Sequence, residues 1–271
     1  MTDSHFPRSV LVYGTGLMGC SLALALKKRF PQTRVFGIDS AEILDRAKHL
    51  GAVDDGPIPP HSDLVVLAAP VGAILAILDE LEPGPELVID VGSTKLAICQ
   101  KAGRRGLSFV GGHPMTGSEK FGPEAASPDI FKGAPFFLCP TSTTPVDALS
   151  KLTQLLQEIG AAPMVIDAIE HDNLVARVSH LPQILSTLLA DHTAGERAFA
   201  GPGWKSVTRL GASPFHVWRD ILQTSGALPS ELQAFSKRLD RVLKALQSGN
   251  IAELEAIFER ANRAVEGEPN P

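Results

Sequence analysis

Only three cysteines occur in 271 residues, Cys20, Cys99 and Cys139. Their wide separation leaves no CxxC pair and no metal-ligand spacing, and an odd number cannot all pair. A disulfide framework and a bound metal are therefore not expected, and three buried or half-buried thiols in a reducing cytosol are. No charge of one sign dominates either: 25 basic against 30 acidic side chains give a formal charge of −5, without blocks of Lys or Arg. Such a chain has no field to attract nucleic acid or anionic lipid, so neither is expected as a partner. No run approaches the ~18 apolar residues of a membrane-spanning helix, and MTDSHFPRSVLVYG lacks the basic and apolar regions of a secretory leader. A cytoplasmic protein is expected. An apolar content of 44% excludes a disordered chain.

What is present is an alternation. From Ser9 to about Asp167 come seven short apolar runs: VLVYG (10–14), RVFGID (34–39), DLVVLAAP (63–70), ELVIDVG (86–92), LSFVGGHP (107–114), APFFLCP (134–140) and PMVID (163–167). Helix-length stretches near 17–29, 41–50, 71–81 and 94–104 separate the earlier ones. Strands apolar on both faces, each followed by a helix, predict a parallel sheet covered on both sides, a doubly wound α/β domain. After Ile169 the pattern turns helical. Leu174, Val178, Leu181, Leu185 and Leu188 lay one stripe along 170–199, with a kink expected at Pro182. Leu232, Phe235, Leu239, Val242 and Leu246 do the same over 230–247, and Ile251 to Val265 resumes after Gly249-Asn250. This predicts a helical hairpin with Ser230 as N-cap and Gly249 closing the first helix. Two domains follow, 1–168 and 169–271. The leucine stripes of the second suit either its own core or a second copy of the chain.

The first strand runs straight into Gly14-Thr15-Gly16-Leu17-Met18-Gly19, which opens a helix. In that context GxGxxG is a dinucleotide fingerprint: Gly14 for the tight turn, Gly16 for backbone approach to a pyrophosphate, Gly19 for helix-strand packing. The second strand ends at Asp39, twenty residues beyond Gly19. An acidic side chain there holds a ribose 2′-hydroxyl and repels a 2′-phosphate, so NAD is the expected cofactor. Ser40 follows Asp39, no arginine stands immediately beyond, and Arg46 is the nearest downstream. Ala69 and Pro70 close the third strand, where the adenosine and ribose edge is expected.

Two strand ends are dense in polar groups, Asp90-Val91-Gly92-Ser93-Thr94-Lys95 and Gly111 to Glu119, the latter including His113, Thr116, Gly117 and Ser118. Carboxyl ends of strands line the ligand crevice, which puts Ser93 and His113 on the nicotinamide side. Oxidation of an alcohol needs a base at the hydroxyl while hydride leaves, and a neutral imidazole oriented by a hydroxyl such as Ser93 suits that work. In the helical part His180 lies on the polar side of its helix, and the loop with Lys205 and Arg209 is suited to carboxylates. Arg219-Asp220 reads as a structural pair.

The segments GTGLMGCS, AAPV, DVGSTK, GGHPMTGSE, SHLP and WKSVTRLGASP, followed by Trp218, resemble the prephenate and arogenate dehydrogenases of tyrosine biosynthesis, in order and over about residues 8–262. The resemblance implies NAD(P)-dependent oxidative decarboxylation of a cyclohexadienol by a homodimer joined through its helical part. It assigns His113 to the C4 hydroxyl, Ser93 as its partner, and Arg209 to the ring carboxylate. His180, Lys205 and Trp218 are carried over as pocket residues, with Glu119 near the mouth beside Thr116, Gly117 and Ser118. Many prephenate-using members read SHLPH where this chain has Gln183. The neutral amide leans towards arogenate or dual use.

Two other readings compete. β-Hydroxyacid dehydrogenases share the glycine fingerprint but rely on a lysine in a long helix, and 170–199 contains none. A non-catalytic NAD-sensing module would use Gly14 to Gly19 and Asp39 but would leave Ser93, His113 and Arg209 without a task. The length predicts the dehydrogenase without a fused mutase or regulatory domain.

Overall fold

The computed structural model describes residues 7–118 and 120–267. Its sheet contains β1 (Ser9–Tyr13), β2 (Arg34–Ile38), β3 (Leu64–Leu67), β4 (Leu87–Asp90), β5 (Phe109–Pro114), β6 (Pro135–Pro140) and β7 (Ala162–Val165), in the order β2-β1-β3-β4-β5-β6-β7. Each strand falls on one of the apolar runs, β1 and β7 starting one residue before it. The order reverses between β1 and β3, which opens a crevice above their carboxyl ends.

Pleating explains why the runs are apolar throughout. Val10, Val12, Leu64, Val66, Phe136 and Leu138 point to one core with α1 (Leu17–Arg29) and α5 (Ala148–Glu158). Their neighbours Val65, Leu67, Val88 and Phe109 point to a second core with α3 (Val71–Glu80) and α4 (Leu96–Arg105). A strand buried on both faces has no position for a polar side chain. Between β2 and β3 lies α2 (Ala41–His49), capped by Ser40, whose hydroxyl accepts the Ile43 amide at 3.4 Å. The three cysteines are buried and free.

The sheet is not wholly parallel. β5 and β6 are antiparallel, while β6 and β7 are parallel to each other. Parallel neighbours need a crossover helix, and the segment joining β5 to β6 holds only a 3-10 turn, Pro123–Ala125. It serves instead as a strap, lying across α1 and α2: the Ser127 amide donates to Ser21 Oγ at 3.0 Å, and Arg46 is paired with Glu124.

The stripe over 170–199 is not one kinked helix. It comprises α6 (Ala168–Val175), a π turn at Ala176–His180, α7 (Leu181–His192) and a 3-10 segment, Ala194–Phe199. Pro182 lacks an N–H and its ring would collide with the Val178 carbonyl in a regular helix, and the wider π turn just before it relieves that clash. There the Leu181 amide reaches back to the Ala176 carbonyl. Then follow α8 (Pro202–Thr208), a 3-10 turn at Arg209–Ala212, and α9 (Phe215–Thr224). The hairpin consists of α10 (Leu228–Ser248) and α11 (Ile251–Glu266), with Gly249 left-handed at φ +66° between them. Ser230 is not the cap expected: α10 starts at Leu228 with Pro229 in its first turn, and the Ser230 hydroxyl donates back to the Ala227 carbonyl.

Two compact units result, the first extending to Gly226 and the second beginning at Ala227. The first unit runs on past residue 168 because α6 is docked on the sheet, burying Ala168 in the second core and binding the start of α4 through Asp172. Among the described residues no helix is long and apolar enough to cross a membrane.

Beneath the crevice, Lys95 and Asp90 are both fully buried and paired. The Lys95 ammonium also donates to the Gly112 carbonyl at 2.7 Å, and Asp90 accepts the Gly92 and Gly112 amides at 2.8 and 3.0 Å. The pair fastens the ends of β4 and β5 together. Asp90→Ala should lower unfolding stability by about 3–5 kcal/mol in urea titrations because it strands a buried ammonium, and Asp90→Ala/Lys95→Met should recover much of the loss.

Candidate active site

The three glycines after β1 answer to three different constraints. Gly14 has φ +91°, and a Cβ there would lie 2.5 Å from the Ala68 carbonyl oxygen. A Cβ on Gly19 would stand 1.9 Å from the Gly14 carbonyl oxygen, so this glycine lets α1 press on the turn. Gly16, the N-cap of α1, has ordinary backbone angles and nothing within 4 Å of its would-be Cβ. No contact within the chain calls for glycine at Gly16, and the open cradle at an uncapped helix N-terminus fits a pyrophosphate. Leu17 and Met18 lie half-buried in the first turn of α1.

Asp39 ends β2 exposed to solvent, with Oδ2 accepting the Thr15 amide at 2.7 Å and the Thr15 hydroxyl at 3.3 Å. Its Oδ1 accepts the Ser40 amide at 2.8 Å. One carboxylate thereby ties β2 to the glycine turn and leaves a negative charge where a ribose edge belongs. Ala69 and Pro70 lead into α3, whose Gly72 amide donates to Asp220 at 3.0 Å. The Arg219-Asp220 pair is thus structural, as expected: Arg219 steadies the carboxylate that docks α9 on α3.

His113 is the last residue but one of β5 and is buried. Its Nδ1 lies 2.8 Å from Nε2 of His171, and Nδ1 of His171 lies 2.8 Å from Asp172 Oδ1. Asp172 also accepts the amides of Lys95 and Leu96, at 2.7 and 3.0 Å. A carboxylate only accepts, so Nδ1 of His171 donates to it; in the neutral ring Nε2 then accepts from Nδ1–H of His113. The remaining nitrogen of His113, Nε2, carries a lone pair. Burial holds the His113 imidazole well below its usual pKa, with the charges of His171, Lys95 and His180 adding to the effect. The ring is a neutral acceptor at physiological pH.

The other expected residues differ in burial and in the partners they already hold. His180 is buried at the end of the π turn, its Nδ1 2.7 Å from Ser225 Oγ and its ring edge-on to Trp218 at 5.9 Å. Burial pushes its pKa down to about 4. Gln183 is buried, but its amide is engaged within the chain: Nε2 donates to the Leu210 carbonyl at 2.8 Å and the Thr187 hydroxyl at 3.2 Å. It braces the turn that carries Arg209. Arg209 and Lys205 are exposed, and Ser93 is half-buried between β4 and α4. Thr116 is half-buried, Gly117 and Ser118 are exposed, and Glu119 lies outside the described residues. A cavity of about 440 Å³ lies at the opposite ends of the strands, against Leu64, Leu87 and Ser108, away from His113.

Sequence reasoning missed His171 and Asp172. A His-Asp pair on the polar side of α6 was visible, but only the docking of α6 beneath β5 gives it a partner. It also placed Ser93 as the partner of His113, whereas His171 occupies Nδ1.

A glycine turn for a dinucleotide on a doubly wound sheet, with an oriented imidazole at a neighbouring strand end, defines an NAD-dependent oxidoreductase. Two family models match, described as prephenate dehydrogenase, nucleotide-binding domain, over residues 22–165, and prephenate dehydrogenase, dimerization domain, over residues 167–260. A prephenate dehydrogenase of Bacillus subtilis is 32% identical over 96% of this chain and 76% of its own length. The crystal structure of A. aeolicus prephenate dehydrogenase in complex with hydroxyphenyl propionate and NAD+ is 27% identical, with TM-score 0.87 over 96% of this chain and 98% of that one. Synechocystis arogenate dehydrogenase is 25% identical, with TM-score 0.81 over 96% and 99%. The chain belongs to the prephenate dehydrogenase family.

The glycines separate folding from binding. Gly16→Ala should fold as before, with an unchanged melting temperature, yet weaken NAD by about tenfold or more in calorimetric titration, because its methyl group enters the cradle. Gly19→Ala should instead cost at least about 1–3 kcal/mol of stability through overpacking.

Proposed function

We propose that the chain carries out NAD-dependent oxidative decarboxylation of prephenate and/or arogenate, giving 4-hydroxyphenylpyruvate and/or tyrosine. The observation that carries this reading is the Asp172-His171-His113 series, which leaves His113 Nε2 as an acceptor at the end of β5. Gly14, Thr15, Gly16, Leu17, Met18, Gly19, Asp39, Ser40, Ala69 and Pro70 are the proposed cofactor residues; NAD, when bound there, supplies the hydride acceptor.

His113 Nε2 takes the hydrogen bond, and then the proton, of the C4 hydroxyl as the C4 hydride departs. The ring carbonyl so formed is conjugated to the bond holding the ring carboxylate. That bond breaks, its electron pair passes through the ring to the carbonyl oxygen, which takes back the proton held by His113, while carbon dioxide leaves and the ring becomes aromatic. Aromatisation drives the second step, so the chain need only start the first and hold the carboxylate in register. Arg209 is proposed for that grip, with Lys205, His180 and Trp218 around it. Too tight a grip would oppose departure of the carboxylate. Ser93 is the proposed hydroxyl partner beside His113 that hydrogen-bonds the C4 oxygen, since Nδ1 of the ring is taken and the single lone pair of Nε2 serves the substrate. Thr116, Gly117, Ser118 and Glu119 are assigned to the pocket mouth. Gln183 is assigned a positioning role through the Arg209 turn, which removes the basis for a lean towards arogenate and keeps both substrates open.

Residues 1–168 are proposed as the NAD-binding part and 169–271 as the substrate and dimerisation part, a division supported by the family matches on either side of residue 166. Leu239, Leu243, Leu246 and Phe258 leave apolar surface exposed on the hairpin, which supports a homodimer formed there. A cytoplasmic location goes with this reading.

The test is formation of reduced nicotinamide with purified prephenate and arogenate, comparing kcat/KM. No reaction with either substrate would remove the proposal, and a preference above about tenfold would set the other substrate aside. His113→Asn should lower kcat by about 10²-fold or more while NAD binding stays within about twofold.

A further inference from the structure

The strap between β5 and β6 meets α2 at an ion pair that the reaction does not use. Arg46 Nε donates to Glu124 Oε1 at 2.5 Å and its terminal nitrogen to Oε2, so the carboxylate takes the guanidinium fork with both oxygens. A second carboxylate, Glu42, lies 3.6 Å from the remaining nitrogen. That contact shows where the guanidinium sits: reaching back along α2 to its first turn, the turn that Ser40 caps directly after Asp39. Arg46 is the first cation downstream of the ribose-recognising carboxylate, and it is directed towards that end of the helix.

Both partners are partly exposed, with 39% and 52% of their side-chain surfaces accessible. Glu124 is held down at about 2 by the Arg46 hydrogen bond, so the pair is ionised at any working pH. Gly122 lets the strap come this close: it has φ +82°, and a Cβ on it would stand 3.1 Å from the Arg46 guanidinium. The same carboxylate acts on the cofactor end of α1. Burial pushes the Cys20 thiol up to about 12, and the charges of Asp39 and then Glu124 add to the rise.

A 2′-phosphate is recognised by a cation at the carboxyl end of the second strand, and an arginine whose fork is filled by one carboxylate, with a second carboxylate against its remaining nitrogen, has its orientation fixed and its charge offset before any phosphate arrives. We propose that Glu124 is a second determinant of NAD over NADP, acting by occupying Arg46, the residue of α2 placed to bind a 2′-phosphate. Asp39 repels that phosphate, and Glu124 withholds the cation that would offset the repulsion. The strap thus links the segment that follows His113 to cofactor choice. The inference rests on the NAD reading of the glycine turn.

Dissociation constants for NAD and NADP, measured by calorimetry without any aromatic substrate, test it. Glu124→Gln removes the charge and keeps the shape; it should tighten NADP roughly five- to tenfold and leave NAD within about twofold. Arg46→Ala alone should leave both constants within about twofold of the unaltered protein, since the arginine is already engaged, and in the double variant it should abolish the gain. An unchanged NADP-to-NAD ratio in Glu124→Gln would overturn the proposal. So would a gain that persists without Arg46, or a further loss of NADP affinity in Arg46→Ala alone. Failure of the unaltered protein to bind NAD would overturn the dinucleotide reading itself, and the proposal with it.

Discussion

The carboxylate of Asp172 holds the His113 end of the sheet together. Helix α4 has Lys95 as its N-cap residue, whose own side chain caps nothing, and the amides of Lys95 and Leu96 point at Asp172 from another part of the chain. A helix N-terminus buried without acceptors would be costly, so packing α6 against α4 is favoured by the same hydrogen bonds that position the acid. Asp172 then sets the tautomer of His171, and His171 sets that of His113. A structural cap and the orientation of the His113 imidazole are one interaction. The carboxylate is held from three sides, which fixes its direction more firmly than a single partner could.

Around that centre the chain brings together residues far apart in sequence. The Asp90-Lys95 pair joins β4 to β5 under His113, Asp220 docks α9 on the start of α3, and Thr224 meets Thr94 at 2.7 Å. Gln183 extends the same construction, joining α7 to the turn that carries Arg209. Each link is a buried or half-buried hydrogen bond between elements, where an unmade bond costs more than a made one gains. The helical segments through α9 are accordingly part of the compact unit that contains the sheet. Only the α10-α11 hairpin forms a unit of its own.

The strand runs were legible because burial on both faces leaves them apolar throughout, a pattern that survives without knowledge of neighbours. The glycine turn was legible for a different reason: Gly14, Gly16 and Gly19 stand within six residues, directly after one apolar run and at the start of a helix-length stretch. The reversed direction of β6 was not, since it depends on how the strap returns across α1 and α2. Nor was the π turn before Pro182, where the apolar stripe continues although the hydrogen bonding changes. Gln183 shows the limit most clearly. Its place in SHLPQ suggested contact with substrate, yet Leu210 and Thr187, distant or on its own helix, accept its amide.

The amino-acid order by itself determined the doubly wound sheet, the dinucleotide turn with its acidic partner at Asp39, and the imidazole at the end of β5, because each depends on spacing within a few residues or on burial pattern. The tertiary structure alone decided which nitrogen of His113 is free, which carboxylate holds Arg46, and where Gln183 is engaged. Hydrogen bonds between elements have no period and no fixed separation along the chain: His113 and His171, or Arg46 and Glu124, become neighbours only when the sheet, the strap and α6 have packed.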